Sequence, residues 1–238
     1  AGYTVGLGRL FTCWNPEEER VRWTLAILGC ATLTAAAIYC GAFWSPDDPS
    51  SDDTPRLLYL HIPAAALTLA VFTVAAIASL IHLRRKSDAA DQWARAAVGA
   101  AAIMGTLMLA SGMIWARLAW NHWWDFKSPK LVLSLVLWIL IVAYFVLRTG
   151  LGEHRRRSRI AAVYCIVAWL DVPLVYLAAR LAAGDIHPPT AAALDVKPTG
   201  LAVALPLAFA ATTGVTGLLL AALLRHIRRR DAQLHAAD

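Results

Sequence analysis

Charge is scarce in this chain. Asp, Glu, Lys and Arg make up only 16% of the 238 residues, against roughly one quarter in an ordinary soluble domain, and that class is excluded on this ground. The four cysteines, Cys13, Cys30, Cys40 and Cys165, form neither a C-x-x-C pair nor a C-x-x-C-H sequence. The chain therefore carries no covalently attached haem of its own and has no thiol pair for redox work. No G-x-x-x-x-G-K-[ST] phosphate loop occurs, so any ATP-driven step must be supplied by a partner. Internal repetition is also missing. Trp93-Ala94-Arg95 and Trp115-Ala116-Arg117 flank the third apolar run, but Trp and Arg are common at membrane interfaces, and nothing longer supports a transporter-like inverted repeat. A cleavable signal peptide is not expected, because the first apolar run is too long and no small-residue cleavage pattern follows it.

What is abundant is apolar length. Hydrophobic residues make up 59% of the chain, and they gather into six long runs, roughly Trp23–Trp44, Leu57–Leu83, Trp93–Ala116, Leu131–Leu147, Ile160–Leu181 and Leu201–Leu224. A helix needs about 20 apolar residues to cross hydrocarbon. Barrel strands alternate polar and apolar positions, and these runs do not, so helices are the expected spanning elements. The expected fold is all-α. It is a single six-span membrane domain over residues 1–238, with external links at about 45–56, 114–130 and 182–200.

Lys and Arg set the expected orientation. Six spans place both termini on one side, and 16 of the 22 Lys and Arg residues fall there, grouped around Arg9–Arg22, Arg84–Arg95, Arg148–Arg159 and Arg225–Arg230. Positive charge is retained on cytoplasmic links, so both termini are expected in the cytoplasm. The isoelectric point near 9.4 then reflects juxtamembrane clusters suited to anionic membrane lipid. It gives no ground for nucleic-acid binding.

The strongest chemical signal is Trp115-Ala116-Arg117-Leu118-Ala119-Trp120-Asn121-His122-Trp123-Trp124-Asp125-Phe126, with four Trp and one Phe in 12 positions. An interfacial belt supplies one or two Trp per helix end and does not require an embedded Asp, His and Asn. A flat aromatic cluster beside polar groups suits a large planar ligand with carboxylate tails, which Arg117, Lys127 and Lys130 could pair. Histidine is the second signal. His82, His154, His226 and His235 fall among the basic links, where solvation or helix capping is the default. His61, His122 and His187 fall on the opposite side with the Trp-rich link. Neutral imidazole is a good axial ligand for haem iron, and two of them saturate it. Asp171 lies within the fifth run, where an ionisable group by default points to function, although nearby Pro173 also frees backbone groups for it to satisfy.

On these residues the chain resembles the cytochrome c assembly haem-handling proteins, most closely the maturation protein C, or haem exporter protein C, group. Three segments carry the resemblance: Tyr59-Leu60-His61-Ile62-Pro63-Ala64, the stretch ending Trp123-Trp124-Asp125, and Val172-Pro173-Leu174-Val175 followed by Ile186-His187-Pro188. It covers nearly the whole chain. The resemblance implies that His61 and His187 are axial ligands of haem b, and that Trp115, Trp120, Trp123, Trp124 and Asp125 form the haem platform of a Trp-rich loop between spans three and four. It further implies a bacterial inner-membrane protein that presents haem to a periplasmic haem chaperone, beside ATP-binding transporter subunits and a small membrane subunit.

Other readings stay open at this stage. The Trp115–Trp120 opening is also similar to the cytochrome c synthetase component, which attaches haem to apocytochrome directly, but such relatives tend to be larger. A b-type electron carrier would place paired His inside the bilayer. A solute transporter would show a repeat or broken-helix pattern. With no nucleophile, general base or thiol pair in view, a haem handler is expected and an enzyme is not.

Overall fold

The computed structural model describes residues 16–44, 54–150, 154–181, 187 and 199–237. Of the expected external links, residues 45–53, and residues 182–198 apart from His187, lie outside the described residues. Among the described residues the helices are, in chain order, α1 (Pro16–Tyr39), continued by a π-helical turn at Cys40–Trp44, then α2 (Thr54–Arg85), α3 (Asp88–Trp120), α4 (Pro129–Thr149), α5 (His154–Trp169), α6 (Asp171–Leu181) and α7 (Thr199–Ala237). Among the described residues there are six helical segments long and apolar enough to cross a membrane, α5 and α6 together supplying one of them. The chain is thus an all-α, multi-pass membrane protein with six candidate spans.

Local chemistry sets the helix ends. Ser87 caps α3 by accepting from the Ala90 N–H, and Ser128 caps α4 by accepting from the Leu131 N–H, both at 3.3 Å; each satisfies one of the four unpaired N–H groups at a helix start. Pro129 follows Ser128 at the first helical position, where a missing N–H costs nothing. Asn121 ends α3 in the left-handed region at φ 60°, a conformation Asn tolerates better than most residues.

Three boundaries differ from those expected. The apolar run ends near Ala116, but α3 continues to Trp120, so Trp115 and Trp120 stand on a helix and only residues 121–128 form the link. The second apolar run opens at Leu57, but α2 is already helical at Thr54, so Pro63 lies inside the helix. The fifth run divides at Leu170. Pro173 explains the division: it has no N–H to donate to the Trp169 carbonyl, and its ring crowds that carbonyl.

Packing rests on small residues. Ala75 of α2 and Ala97, Ala100 and Ala101 of α3 are fully buried, and α2 and α3 form the most extensive helix pair. Without a hydrophobic drive inside lipid, close approach of small residues is what brings spans together. Phe72, Leu137, Ile141, Tyr144, Ala161 and Cys165 complete this core. Polar groups add cross-links: Trp138 donates to Thr106 at 2.9 Å, Trp169 to Thr73 at 3.0 Å and Tyr164 to the Leu140 carbonyl at 3.0 Å.

One end of the bundle is tied by charge. Asp91 of α3, only 3% exposed, accepts from both terminal nitrogens of Arg148 on α4, at 2.7 and 3.1 Å. Arg148 also donates to Tyr144 at 3.1 Å. Arg95 lies 3.2 Å from Asp91 and pairs with Asp231 of α7, while Arg225 of α7 pairs with Glu19 of α1 and covers the Trp23 ring at 4.0 Å.

Candidate functional site

The opposite end gathers the N-terminal part of α2, the last turns of α3, the 121–128 link, the start of α4, the end of α6 and His187. His61 projects from the N-terminal part of α2 toward α3, where its Nδ1 lies 3.0 Å from the Met108 carbonyl and 3.3 Å from the Ser111 hydroxyl. A carbonyl can only accept, so Nδ1 carries the hydrogen and Nε2 is the lone-pair nitrogen. Gly112 makes this seating possible. A methyl group there would stand 2.8 Å from Cε1 of the imidazole, closer than carbon atoms pack.

The His187 ring centre lies 6.4 Å from that of His61, the planes inclined by 42°. Trp115 and Trp120 of α3 each stand 6.4 Å from His187 by ring centres, and they meet one another edge-on at 4.7 Å. Helical spacing alone would not bring positions five apart onto one face; both reach the same imidazole because α3 persists past its apolar run.

Beside the two imidazoles lies a cavity of about 230 Å³, lined by His61, His187, Trp124, Lys130, Tyr176 and a set of aliphatic side chains that includes Ile62, Leu69, Leu109, Leu131 and Leu137. Trp124 lines this cavity through its side chain, and its indole N–H is buried with no hydrogen-bond partner among the described residues, a costly state for a donor.

The link itself is pinned by Asp125. Its carboxylate accepts the Lys127 N–H at 2.8 Å and its carbonyl accepts the Ser128 N–H at 3.3 Å, an Asx turn that leads into the α4 cap. His122 lies 2.8 Å from the Trp120 carbonyl through Nδ1 and stacks on the Trp120 ring. Arg117 hydrogen-bonds to the carbonyl and side chain of Asn121, closing the end of α3.

The seven residues singled out in the sequence therefore divide. His61, His187 and Trp124 line the cavity, and Trp115 and Trp120 reach it through His187. Trp123 is 55% exposed and does not line it; Asp125 shapes the link from outside. Of the three candidate cations, Lys130 lines the cavity, whereas Arg117 is engaged at the helix end and Lys127 is exposed. Asp171 is buried, with one carboxylate oxygen unpaired among the described residues. Sequence reading missed Gly112, Ser111 and the Met108 carbonyl. A Gly-Ser pair in an apolar helix carries no sign that another helix places an imidazole over it.

Comparison with known proteins adds an independent line. A family model for heme exporter protein C matches residues 13–237. Proteins of that name are 28% identical over 145 residues in Paracoccus denitrificans, 30% over 143 in Bradyrhizobium diazoefficiens and 26% over 155 in Rhodobacter capsulatus. These alignments take in 61%, 60% and 65% of this chain, and 58%, 54% and 64% of the respective relatives. The chain thus spans less than two thirds of the length of the relatives it matches. Because the family match runs through every described helix, this chain belongs to the heme exporter protein C family.

Proposed function

We propose that this protein holds haem b between His61 and His187 at the extracytoplasmic end of the bundle and presents it to a periplasmic haem chaperone during c-type cytochrome assembly. The observation that carries the reading is the imidazole pair. Two histidines on opposite faces of one metal, each at the ~2.0 Å usual for a His–metal bond, have ring centres roughly 6 Å apart. Those of His61 and His187 are 6.4 Å apart. The apolar walls suit the porphyrin face, and the Lys130 ammonium suits its carboxylates. Met108 and Ser111 fix the His61 tautomer, the outer-shell role that tunes a ligating histidine. The chain is a handler of haem, and the energy for its movement is assigned to ATP-binding transporter subunits working with a small membrane subunit. Orientation with both termini in the cytoplasm of a bacterial inner membrane rests on the uneven spread of Lys and Arg.

Presentation requires that one haem edge stay accessible, and here the exposed Trp123 differs from the cavity-lining Trp124. Trp123→Ala is expected to lower haem delivered to a co-expressed chaperone by roughly tenfold, the weight of an aromatic contact hot spot, while haem retained on the purified protein changes little. Trp124→Ala is expected to lower both. The measurement is paired, haem retained against haem delivered. Equal proportional losses in Trp123→Ala would make the link a part of the pocket alone and remove the presentation role.

Gly112 gives a separate test. Gly112→Ala is expected to displace the His61 ring and weaken haem binding by about tenfold to a hundredfold, the range for outer-shell changes at a metal site. Ser111→Ala, which leaves the Met108 carbonyl in place, is expected to cost less. Haem titration of the two purified variants ranks them, and an unaffected Gly112→Ala would contradict the seating of His61 on α3.

A further inference from the structure

At the end of the bundle away from the paired histidines, a cleft of about 940 Å³ opens between the α2–α3 turn and the first turns of α5. Lys86 of the turn and Arg155, Arg156 and Arg159 of α5 line it; Asp88 is the only acid on its wall among the described residues. None of those four cationic side chains is in an ion pair among the described residues. The turn is firmly built. The His82 imidazole binds the Ser87 carbonyl at 2.8 Å, the Lys86 N–H donates to the His82 carbonyl at 2.8 Å, and Lys86 sits in the left-handed region at φ 52°.

We propose that this cleft binds a phosphate-bearing anion, and that a membrane lipid headgroup supplies it. The charge pattern of α5 runs against ordinary helix electrostatics. Within the described residues α5 opens on His154, Arg155, Arg156 and Arg157 with no acid among them, Glu153 alone preceding them in the sequence, although the positive end of a helix dipole disfavours such a run of cations. Arg155 and Arg159, four apart on one face, repel one another as well. A bound phosphate answers both conflicts, since guanidinium forks bind it by charge-assisted pairs and the helix start favours an anion. The rest of the lining selects the source. Leu83, Ile160 and Val163 form an apolar wall directly beside the cations, and Val163 is half exposed, so acyl chains can lie along α5 below the headgroup. Basic pockets between spans bind anionic lipid in this manner. The inference does not depend on the haem reading.

Native mass spectrometry of the full chain, released from nanodiscs of phosphatidylglycerol and phosphatidylcholine in equal parts, tests it. One saturable phosphatidylglycerol adduct is expected, weakened roughly 30-fold in Arg155→Gln/Arg159→Gln, the weight of two cations near a membrane surface, and less in Lys86→Gln. The charge-matched control Arg228→Gln/Arg229→Gln on α7 is expected to keep it. Inorganic phosphate is added in a parallel arm. Phosphate that displaces the lipid, with the same dependence on Arg155 and Arg159, would uphold the phosphate chemistry and overturn lipid as its source. Adducts that fall equally in the α5 and α7 variants, or that never saturate, would reduce the cleft to diffuse surface charge and overturn the proposal.

Discussion

His61→Ala and His187→Ala are each expected to abolish the low-spin spectrum of bound haem and to weaken haem retention by on the order of a hundredfold, at least what outer-shell substitutions cost at a metal site. Added imidazole is expected to restore part of the spectrum, because a free ring can occupy the position the side chain leaves. The two variants should differ in how completely rescue works. His61 is seated against Met108, Ser111 and Gly112, so its removal leaves a shaped recess for imidazole beside α3. His187 stands among Trp115 and Trp120, whose rings can relax into its place. His226→Ala, on an exposed position of α7, is expected to leave the spectrum unchanged. An unaltered spectrum in either the His61 or the His187 variant would remove that residue as a ligand.

The second large effect is on stability. Asp91→Ala is expected to destabilise the bundle by about 3 kcal/mol or more, the usual cost of leaving one member of a buried ion pair unpaired. Arg148 would keep only Tyr144 at 3.1 Å, and α4 would lose its charged tie to α3. At this chain length such a loss lowers the unfolding midpoint by roughly 6–12 °C. The double variant Asp91→Leu/Arg148→Met should recover much of it, since a buried pair exchanged for apolar groups is often near neutral. Thermal unfolding in one detergent measures both. A single variant as stable as the parent would show that Arg148 reaches water or another partner when Asp91 is absent.

The architecture was largely legible from hydropathy, because a span must be long and apolar and each of the six runs coincides with a candidate span. What hydropathy cannot read is backbone chemistry. Pro63 and Pro173 look alike in an apolar run, yet α2 passes through the first while the fifth span breaks ahead of the second. The end of α3 escapes hydropathy for a related reason. Apolar character fades at Arg117, but helical bonding persists until Asn121 turns left-handed, and those last residues carry Trp120 to His187.

Charge was legible in bulk and opaque in detail. Arg95, Arg148 and Arg225 counted simply as basic residues on one side, whereas each is committed to an acid on another helix or turn: Asp231 and Asp91, Asp91, and Glu19. Within the candidate site, the two imidazoles and the Trp-rich stretch stood out because their residue types are rare in membrane helices. The elements that seat His61 did not. Gly112 and Ser111 acquire meaning only from the approach of α2, a tertiary fact absent from any local pattern.

If haem is held as proposed, His61 and His187 would both ligate its iron. Near-infrared magnetic circular dichroism of the oxidised, purified protein reads that pair of ligands directly. A single low-spin charge-transfer band is expected at the bis-imidazole position, lost in His61→Ala and in His187→Ala. A high-spin spectrum in the parent protein, or a bis-imidazole band that survives in the His61→Ala/His187→Ala double variant, would contradict it.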